Sequence, residues 1–242
     1  HMPGQSKWHN IQKTKGAQDA KRAAAFTKIA KELIVAVKEG GGITDPANNS
    51  RLATVITKAK AANMPNDNIK RCLEKASGAG GGDSYESITY EGYGPGGVAV
   101  IVETMTDNRN RTAGSMRHHF DKFGGNLGAS GCVSWSFDKK GVLVIDNSEE
   151  ELDEEEVMMD AMDAGADDFE ADGDVFTIYT LPDDFNTVVE NLSKYTFVSA
   201  QIEMVPQNYQ KLDNEEHVKL MEKLIDIMEE DDDVQNIWHN WE

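Results

Sequence analysis

The sequence predicts an α+β multidomain protein with an N-terminal helical bundle, a discontinuous middle α+β domain and an inserted ferredoxin-like βαββαβ domain. Apolar residues repeat with a helical period up to residue 77, and a glycine-rich run at 78–82 separates them from an extended period. From Gly141 onward the predicted elements follow the order βαββαβ. A final helix and strand are too short to bury a core alone. These observations predict domains at 2–79, at 83–137 together with 206–242, and at 138–205.

Three amphipathic helices are predicted in the N-terminal domain. The first covers 17–39, where apolar side chains recur at helical spacing and form one stripe. A second stripe begins at Leu52 and stops before Pro65, which is well placed for the first turn of a short third helix. The three stripes should form the core of the bundle, and their main apolar positions are Phe26, Ile29, Leu33, Val37, Leu52, Val55, Ile56, Ala59, Ile69, Cys72, Leu73 and Ala76.

The remaining elements alternate between extended and helical patterns. In the middle domain we expect strands at 84–90, 98–104 and 132–137, helices at 112–123 and 214–230, and a terminal strand at 234–238. In the inserted domain we expect strands at 142–146, 168–172, 174–180 and 197–205, with helices at 150–164 and 183–194. The Asp172-Gly173 pair suits a tight hairpin turn, and Pro182 suits a helix start.

The net charge of −19 conceals a steep asymmetry along the chain. Residues 1–79 carry 14 Lys and Arg against 6 Asp and Glu, a net charge of +8. Residues 138–204 carry 3 against 20, a net charge of −17, and the segments 80–137 and 205–242 carry −2 and −8. Phosphate affinity depends on the local potential within a Debye length of roughly 8 Å. We therefore expect a nucleic-acid partner to meet the first segment.

Two basic features of the N-terminal domain are candidate nucleic-acid contacts. The stretch at 7–15 places an aromatic ring among cations without apolar periodicity, which is typical of an arm that contacts phosphates and stacks on a base. The alternative is a solvated tail whose Trp8 anchors it to the bundle. On the first helix the lysines fall opposite the apolar stripe, a face that serves either phosphate binding or solubility. The candidates are Lys7, Trp8, Lys13, Lys15, Lys21, Lys28 and Lys31, with Lys38 on the same helical face.

A third candidate lies at the predicted strand-to-helix junction at 106–112. Asn108 or Asn110 is available as the helix N-cap, and Arg109 and Arg111 project at the junction. Arginine forks suit phosphate contact. The alternative is a capped turn whose arginines pair with nearby carboxylates.

The remaining motifs give no support to an enzyme. The glycines at 92–97 match GxGxxG, but they open a strand, whereas a dinucleotide site requires a helix N-terminus. A strand-connecting turn is the better interpretation. The acidic run at 149–156 is typical of a solvated first helical turn. No nucleophile-base constellation or metal-ligand spacing can be assembled, so we expect no catalytic residues, no metal and no cofactor.

Cellular location is predicted from the apolar runs and the cysteines. The longest apolar stretches fall far short of the roughly 20 residues that a membrane span requires. Cys72 and Cys132 lack any pairing or ligand pattern, and we expect both to be reduced. These features predict a cytoplasmic protein without a membrane partner.

Several motifs together resemble one family. GQSKWHN at 4–10, AANMPNDNI at 61–69, YEGYGPGG at 90–97, TDNRNRT at 106–112 and GGNLG at 124–128 occur in the order and spacing of the YebC/PmpR family. The resemblance implies a three-domain architecture, the same one that the periodicity of the apolar residues predicts. It also implies gene regulation, since bacterial members are described as DNA-binding transcriptional regulators and mitochondrial members as translational activators that act on stalled ribosomes. Gln5 departs from the histidine common at that position of the family.

The sequence is therefore interpreted as a monomeric, non-enzymatic, nucleic-acid-binding regulator of gene expression. The family resemblance implies a DNA-binding transcriptional regulator. The alternative is a ribosome-associated or RNA-associated translation factor, because no recognition helix with base-reading side chains is evident in the sequence. A protein-binding scaffold is the third interpretation.

Overall fold

The structure, a computed structural model, describes residues 19–78 and 84–242, with side chains described from Arg22 onward. The predicted contacts Lys7, Trp8, Lys13 and Lys15 lie outside the described residues. The chain forms two compact units. The first contains the helices up to residue 78 together with 139–203, and the second contains 84–138 together with 204–242.

The helical part of the first unit consists of α1 (Asp19–Glu39), α2 (Ser50–Ala61) and α3 (Asn66–Ser77). The predicted apolar stripes meet in one core, where Leu33, Leu52 and Ile69 are buried. Asn49 connects two of the helices, since its carboxamide oxygen accepts the Leu52 N–H at 3.1 Å and its nitrogen donates to the Ala36 carbonyl at 3.1 Å. One buried amide thus caps α2 and satisfies a carbonyl near the end of α1.

The second part of the first unit is a four-stranded sheet with two helices. Its elements β4 (Phe137–Asp146), α5 (Glu154–Ala164), β5 (Asp168–Asp172), β6 (Val175–Thr180), α6 (Phe185–Asn191) and β7 (Ser199–Pro206) occur in the predicted βαββαβ order. The strand order in the sheet is β5-β6-β4-β7. Leu143, Phe176 and Phe185 lie in its core. The Asn186 amide nitrogen donates to the Ser50 carbonyl at 2.9 Å, which joins this part to α2.

The second unit is built on the strands β1 (Glu86–Tyr93), β2 (Ala99–Thr106), β3 (Asn126–Leu127) and β8 (Val234–His239), in the order β3-β1-β2-β8. Its two helices are α4 (Arg109–Lys122) and α7 (Glu215–Glu230). Val100, Phe120 and Leu224 share the core between sheet and helices. Ile101 and Trp238 belong to a smaller apolar cluster of the same unit.

The glycine motif forms a strand-connecting turn, as predicted. Pro95–Gly97 makes a short 3-10 turn between β1 and β2, which pair antiparallel. Gly96 and Gly97 have φ angles of 73° and 83°, a region that favours glycine. Among the described residues, no helix is long and apolar enough to cross a bilayer.

The strand predicted at 132–137 is wrong. Residues Ser134–Ser136 form a 3-10 turn, and β4 begins only at Phe137 and continues without a break to Asp146. The reason is the buried carboxylate of Glu91, which accepts backbone N–H groups from Gly131, Val133 and Ser134. In a strand these N–H groups would pair with a neighbouring strand. Because one side chain binds them here, the segment forms a turn and not a strand.

Two helix boundaries and one strand also differ from the prediction. The helix predicted from 150 begins at Glu154, because the Asp153 side chain accepts the Glu156 N–H and caps it there. The helix predicted at 183–194 is a 3-10 turn followed by seven helical residues, Phe185–Asn191. Strand β3 has two residues and was not predicted, because so short a segment has no measurable period.

Candidate nucleic-acid interface

The junction between β2 and α4 holds the two predicted arginines of the second unit. Asn108 is the N-cap, with its carboxamide oxygen accepting the Arg111 N–H at 3.1 Å. Its own N–H donates to the Thr106 hydroxyl at 2.9 Å, which fixes the approach to the helix. Arg109 and Arg111 therefore lie in the first helical turn. The helix dipole is unfavourable for cations there, so both depend on carboxylate partners.

Arg111 is held by two carboxylates, and its side chain is 48% exposed. Its Nη2 lies 2.7 Å from Oδ1 of Asp233 and its Nε lies 3.1 Å from Oδ2, a forked pair. Asp107 contacts the same Nη2 at 2.8 Å. The Asp233 side chain is 8% exposed and also accepts the Thr112 hydroxyl at 2.8 Å. The hydrogen bonds that Arg111 donates to these carboxylates raise its pKa, and the guanidinium ties α4 to the start of β8.

Arg109 is more accessible than Arg111. Its Nη2 donates to Glu86 at 2.6 Å and its Nε lies 3.1 Å from the same carboxylate. The two side chains are 66% and 46% exposed. The hydrogen bond from Arg109 lowers the pKa of Glu86. An exposed pair of this kind contributes little to stability, so a phosphate can replace the carboxylate at small cost.

The predicted lysine face of α1 is not an open surface along its whole length. Lys28 and Lys31 are half-buried, and each takes part in at least one side-chain interaction. At about 100° per residue Val35 falls on the same face, and Val35 is only 4% exposed. Lys21 lies on α1, but its side chain is outside the described part. Nucleic-acid contact by these lysines stays a prediction.

Four exposed cations of the described bundle lie on α2 and α3. Lys60, Lys70, Arg71 and Lys75 are exposed, and Arg71 donates a hydrogen bond to Asn68. Within residues 22–78 and 84–242, none of the three lysines has an ion-pair partner, whereas Lys58 pairs with Glu32 at 2.8 Å. Asp67 and Glu74 share the outer face of α3 and reduce its net charge. The helical period that predicts Lys28 on an outer face of α1 also predicts Lys70 on an outer face of α3.

A groove runs between α1 and α3 beside these cations. It is open to solvent, with a volume of about 310 Å³. Its floor is largely apolar, and Arg71 and Lys75 lie at its edge. Cys72 also lines it, and burial raises the pKa of this thiol against the smaller opposing effect of Lys75 and Arg71. The thiol therefore stays protonated near neutral pH. An apolar floor with cationic edges suits a planar ring that carries an anionic group. The full lining is Phe26, Thr27, Ala30, Ile34, Met64, Asn68, Arg71, Cys72 and Lys75.

Two family models match most of the chain. The model described as TACO1/YebC protein N-terminal domain matches residues 6–79, and the model described as TACO1/YebC second and third domain matches residues 85–241. The chain belongs to the TACO1/YebC family. The resemblance drawn from the sequence motifs is confirmed.

Relatives of this YebC-family chain share its full length. A protein of Acetivibrio thermocellus is 55% identical over 99% of both chains, and one of Clostridioides difficile is 56% identical over 96% of this chain and 97% of the relative. Both are named probable transcriptional regulatory protein. The crystal structure of a conserved hypothetical protein from Aquifex aeolicus is similar with a TM-score of 0.79 and 44% identity, covering 93% of this chain and 91% of that one.

Proposed function

We propose that this protein is a non-enzymatic regulator of gene expression that binds nucleic acid through residues 2–79, which include α1–α3. The observation that carries the proposal is the separation of charge. Residues 1–79 hold a net +8, and residues 138–204 hold a net −17. Phosphates are attracted to the first region and repelled by the second. The names of the relatives, probable transcriptional regulatory protein, support the same general role.

In the proposed complex the cations of α2 and α3 contact the phosphate backbone. Lys60, Lys70 and Lys75 have no competing carboxylate partner in the described part of the chain, so binding a phosphate breaks no ion pair. Lys28 and Lys31 are secondary contacts, because both are half-buried. Arg109 supplies a further contact from the second unit after exchanging Glu86 for a phosphate. We assign Arg111 a structural role.

DNA is the first candidate ligand. Helices α2 and α3 are joined by the four residues 62–65, the connection length of a helix-turn-helix, and Asn63 has a φ of 63° in the turn. The second helix of such a motif carries the base contacts. Asn66, Lys70 and Arg71 are exposed on α3 and are residue types that read bases or bind phosphates.

RNA in a translation complex is the second candidate ligand, and two observations favour it. Asp67 and Glu74 lie among the cations of α3, where a major groove would bring phosphates close on both sides. The groove between α1 and α3 offers an apolar floor containing Phe26, which suits an unstacked base. Single-stranded RNA presents such bases and B-form DNA does not.

Salt-dependent binding tests the proposal and separates the two ligands. A triple variant, Lys60→Ala, Lys70→Ala and Lys75→Ala, should reduce the slope of log affinity against log salt by about 2 to 3 on duplex DNA or single-stranded RNA. The matched control changes Lys211, Lys219 and Lys223, three exposed lysines of the second unit, to Ala. Equal effects of the two triples would contradict the assignment. The nucleic acid with the higher affinity at physiological salt identifies the ligand class.

We further propose the three-domain layout, with 138–205 inserted between 83–137 and 206–242. The helical bundle α1–α3 and the sheet β5-β6-β4-β7 each have a separate apolar core, which supports a boundary between them. The two cores belong to one compact unit, and Asn186 forms a hydrogen-bonded contact with α2 across their border. The boundary is therefore a packed surface.

A further inference from the structure

Helix α5, which lies in the acidic segment 138–204, exposes three methionines. Met158, Met159 and Met162 are 41%, 62% and 48% exposed. At about 100° per residue they span a sector of roughly 100°. The buried residues Val157 and Ala161 define the opposite side of the helix. The solvent-facing side of α5, where charged side chains are normally found, thus carries an apolar strip, which we call the methionine face.

The methionine face stands on a firmly held helix. Along one flank, Asp160 accepts hydrogen bonds from Lys194, at 2.8 Å, and from the Tyr195 hydroxyl. Asp153 caps the N-terminus of α5, and Gly165 ends the helix in the left-handed conformation. The helix is therefore held at both ends and along one flank. The methionine side chains keep three rotatable bonds each and can adapt to an apolar surface.

The three exposed methionines lie together on one face of the helix. The three residues expose 41%, 62% and 48% of their surface, and contiguous exposed apolar patches mark interaction sites on soluble proteins. Isolated exposed methionines are ordinary, but three on one helical face form a contiguous strip. Burial against a partner would remove this area from water.

The surrounding charge determines the class of partner. Glu154, Glu155 and Asp163 are exposed on the same helix, and the segment 138–204 holds 20 acidic residues against 3 basic ones. Nucleic acids and anionic lipid surfaces are repelled by this charge. A cationic protein segment is attracted, and its apolar side must match the methionines.

We propose that the methionine face of α5 docks a basic amphipathic helix of a protein partner. The apolar side of that helix packs on Met158, Met159 and Met162, and its lysines or arginines contact the acidic rim. The inference does not depend on the proposed nucleic-acid function. It gives the acidic segment 138–204 a role of its own, which is to attract a cationic protein segment.

A designed peptide tests this inference on the full chain. The probe is an amphipathic Leu/Lys helix of about five turns, and the control peptide has the same composition in a scrambled order. The double variant Met159→Glu, Met162→Glu should weaken probe binding by at least about 10-fold, because it removes apolar contacts. Charge attraction alone predicts the opposite result, since the variant makes the surface more acidic. The matched control is Leu181→Glu, which changes another exposed apolar residue, 53% exposed, and should alter affinity less than about 2-fold. Circular dichroism confirms that each variant is folded.

Three outcomes would overturn the inference. The scrambled peptide binding as tightly as the amphipathic one would show simple charge attraction. An unchanged affinity in the double variant would place the peptide elsewhere. Concentration-dependent self-association in sedimentation, lost in the double variant, would show that a second copy of the chain covers the methionine face.

Discussion

Glu91 organises the loop between β3 and β4, and its substitution should be costly. The residue is 6% exposed. Its carboxylate accepts three backbone N–H groups, from Gly131 at 2.7 Å on one oxygen and from Val133 at 3.1 Å and Ser134 at 2.8 Å on the other. Burial by itself would raise the pKa of Glu91, but the three donors outweigh burial and the pKa is lowered.

The change Glu91→Gln keeps the size of the side chain and removes its charge. The amide oxygen can retain the two donors of Val133 and Ser134, and the amide nitrogen then faces the Gly131 N–H, so two donors oppose each other. Losing one charge-assisted hydrogen bond and weakening two others should cost about 2–4 kcal/mol of unfolding free energy. Urea titration measures this loss, and hydrogen exchange should show faster exchange at residues 131–134.

The pH dependence of this variant gives a second measurement. Because the folded-state pKa of Glu91 is lowered, its stabilisation is fully present above the unfolded-state pKa and is lost as pH falls through the folded-state pKa. The stability difference between the native chain and Glu91→Gln should therefore be constant near neutral pH and shrink in acid. The control is Glu86→Gln on the same strand, whose carboxylate is exposed. A loss of stability at Glu91 no larger than at Glu86 would refute the role assigned to the carboxylate.

Three further predictions follow from the other contacts. Arg111→Met should destabilise the second unit more than Arg109→Met does, because it leaves the buried Asp233 without its cation. Arg109→Met should lower nucleic-acid affinity more than Arg111→Met does. Urea titration measures the first effect and filter binding the second, and a reversed order would contradict both roles. Replacing 139–203 by a short linker should leave the amides of β1, β2 and β8 protected from hydrogen exchange, and their complete loss of protection would contradict the insertion. Cys72 should react with iodoacetamide more slowly in the folded chain than in urea at pH 8, since burial raises the pKa of its thiol, and equal rates would show that the groove does not shield it.

The helices and most strands could be predicted because their apolar residues follow a simple period. The stripe through Leu33 and Val37 buries the side chains that the helical period selects, and the continuous apolar run Val98–Val102 is a strand buried on both faces. The Gly94–Gly97 turn was predictable as well, because its glycines occur where the pattern changes. The charge of each segment is a property of sequence alone, and it indicated the region expected to bind nucleic acid.

Contacts between distant parts of the chain could not be predicted in the same way. No local pattern predicts that Glu91 binds the N–H groups of Gly131 and Ser134, about 40 residues away. Because of this contact, the segment predicted as a strand forms a loop. The pairing of Arg111 with Asp233, 122 residues later, is likewise a contact that no local pattern predicts. The sequence by itself determined periodicity, turns and local charge, which depend on neighbouring residues. Tertiary structure decided which charges are neutralised and which surfaces stay open, because both depend on residues that only folding brings together.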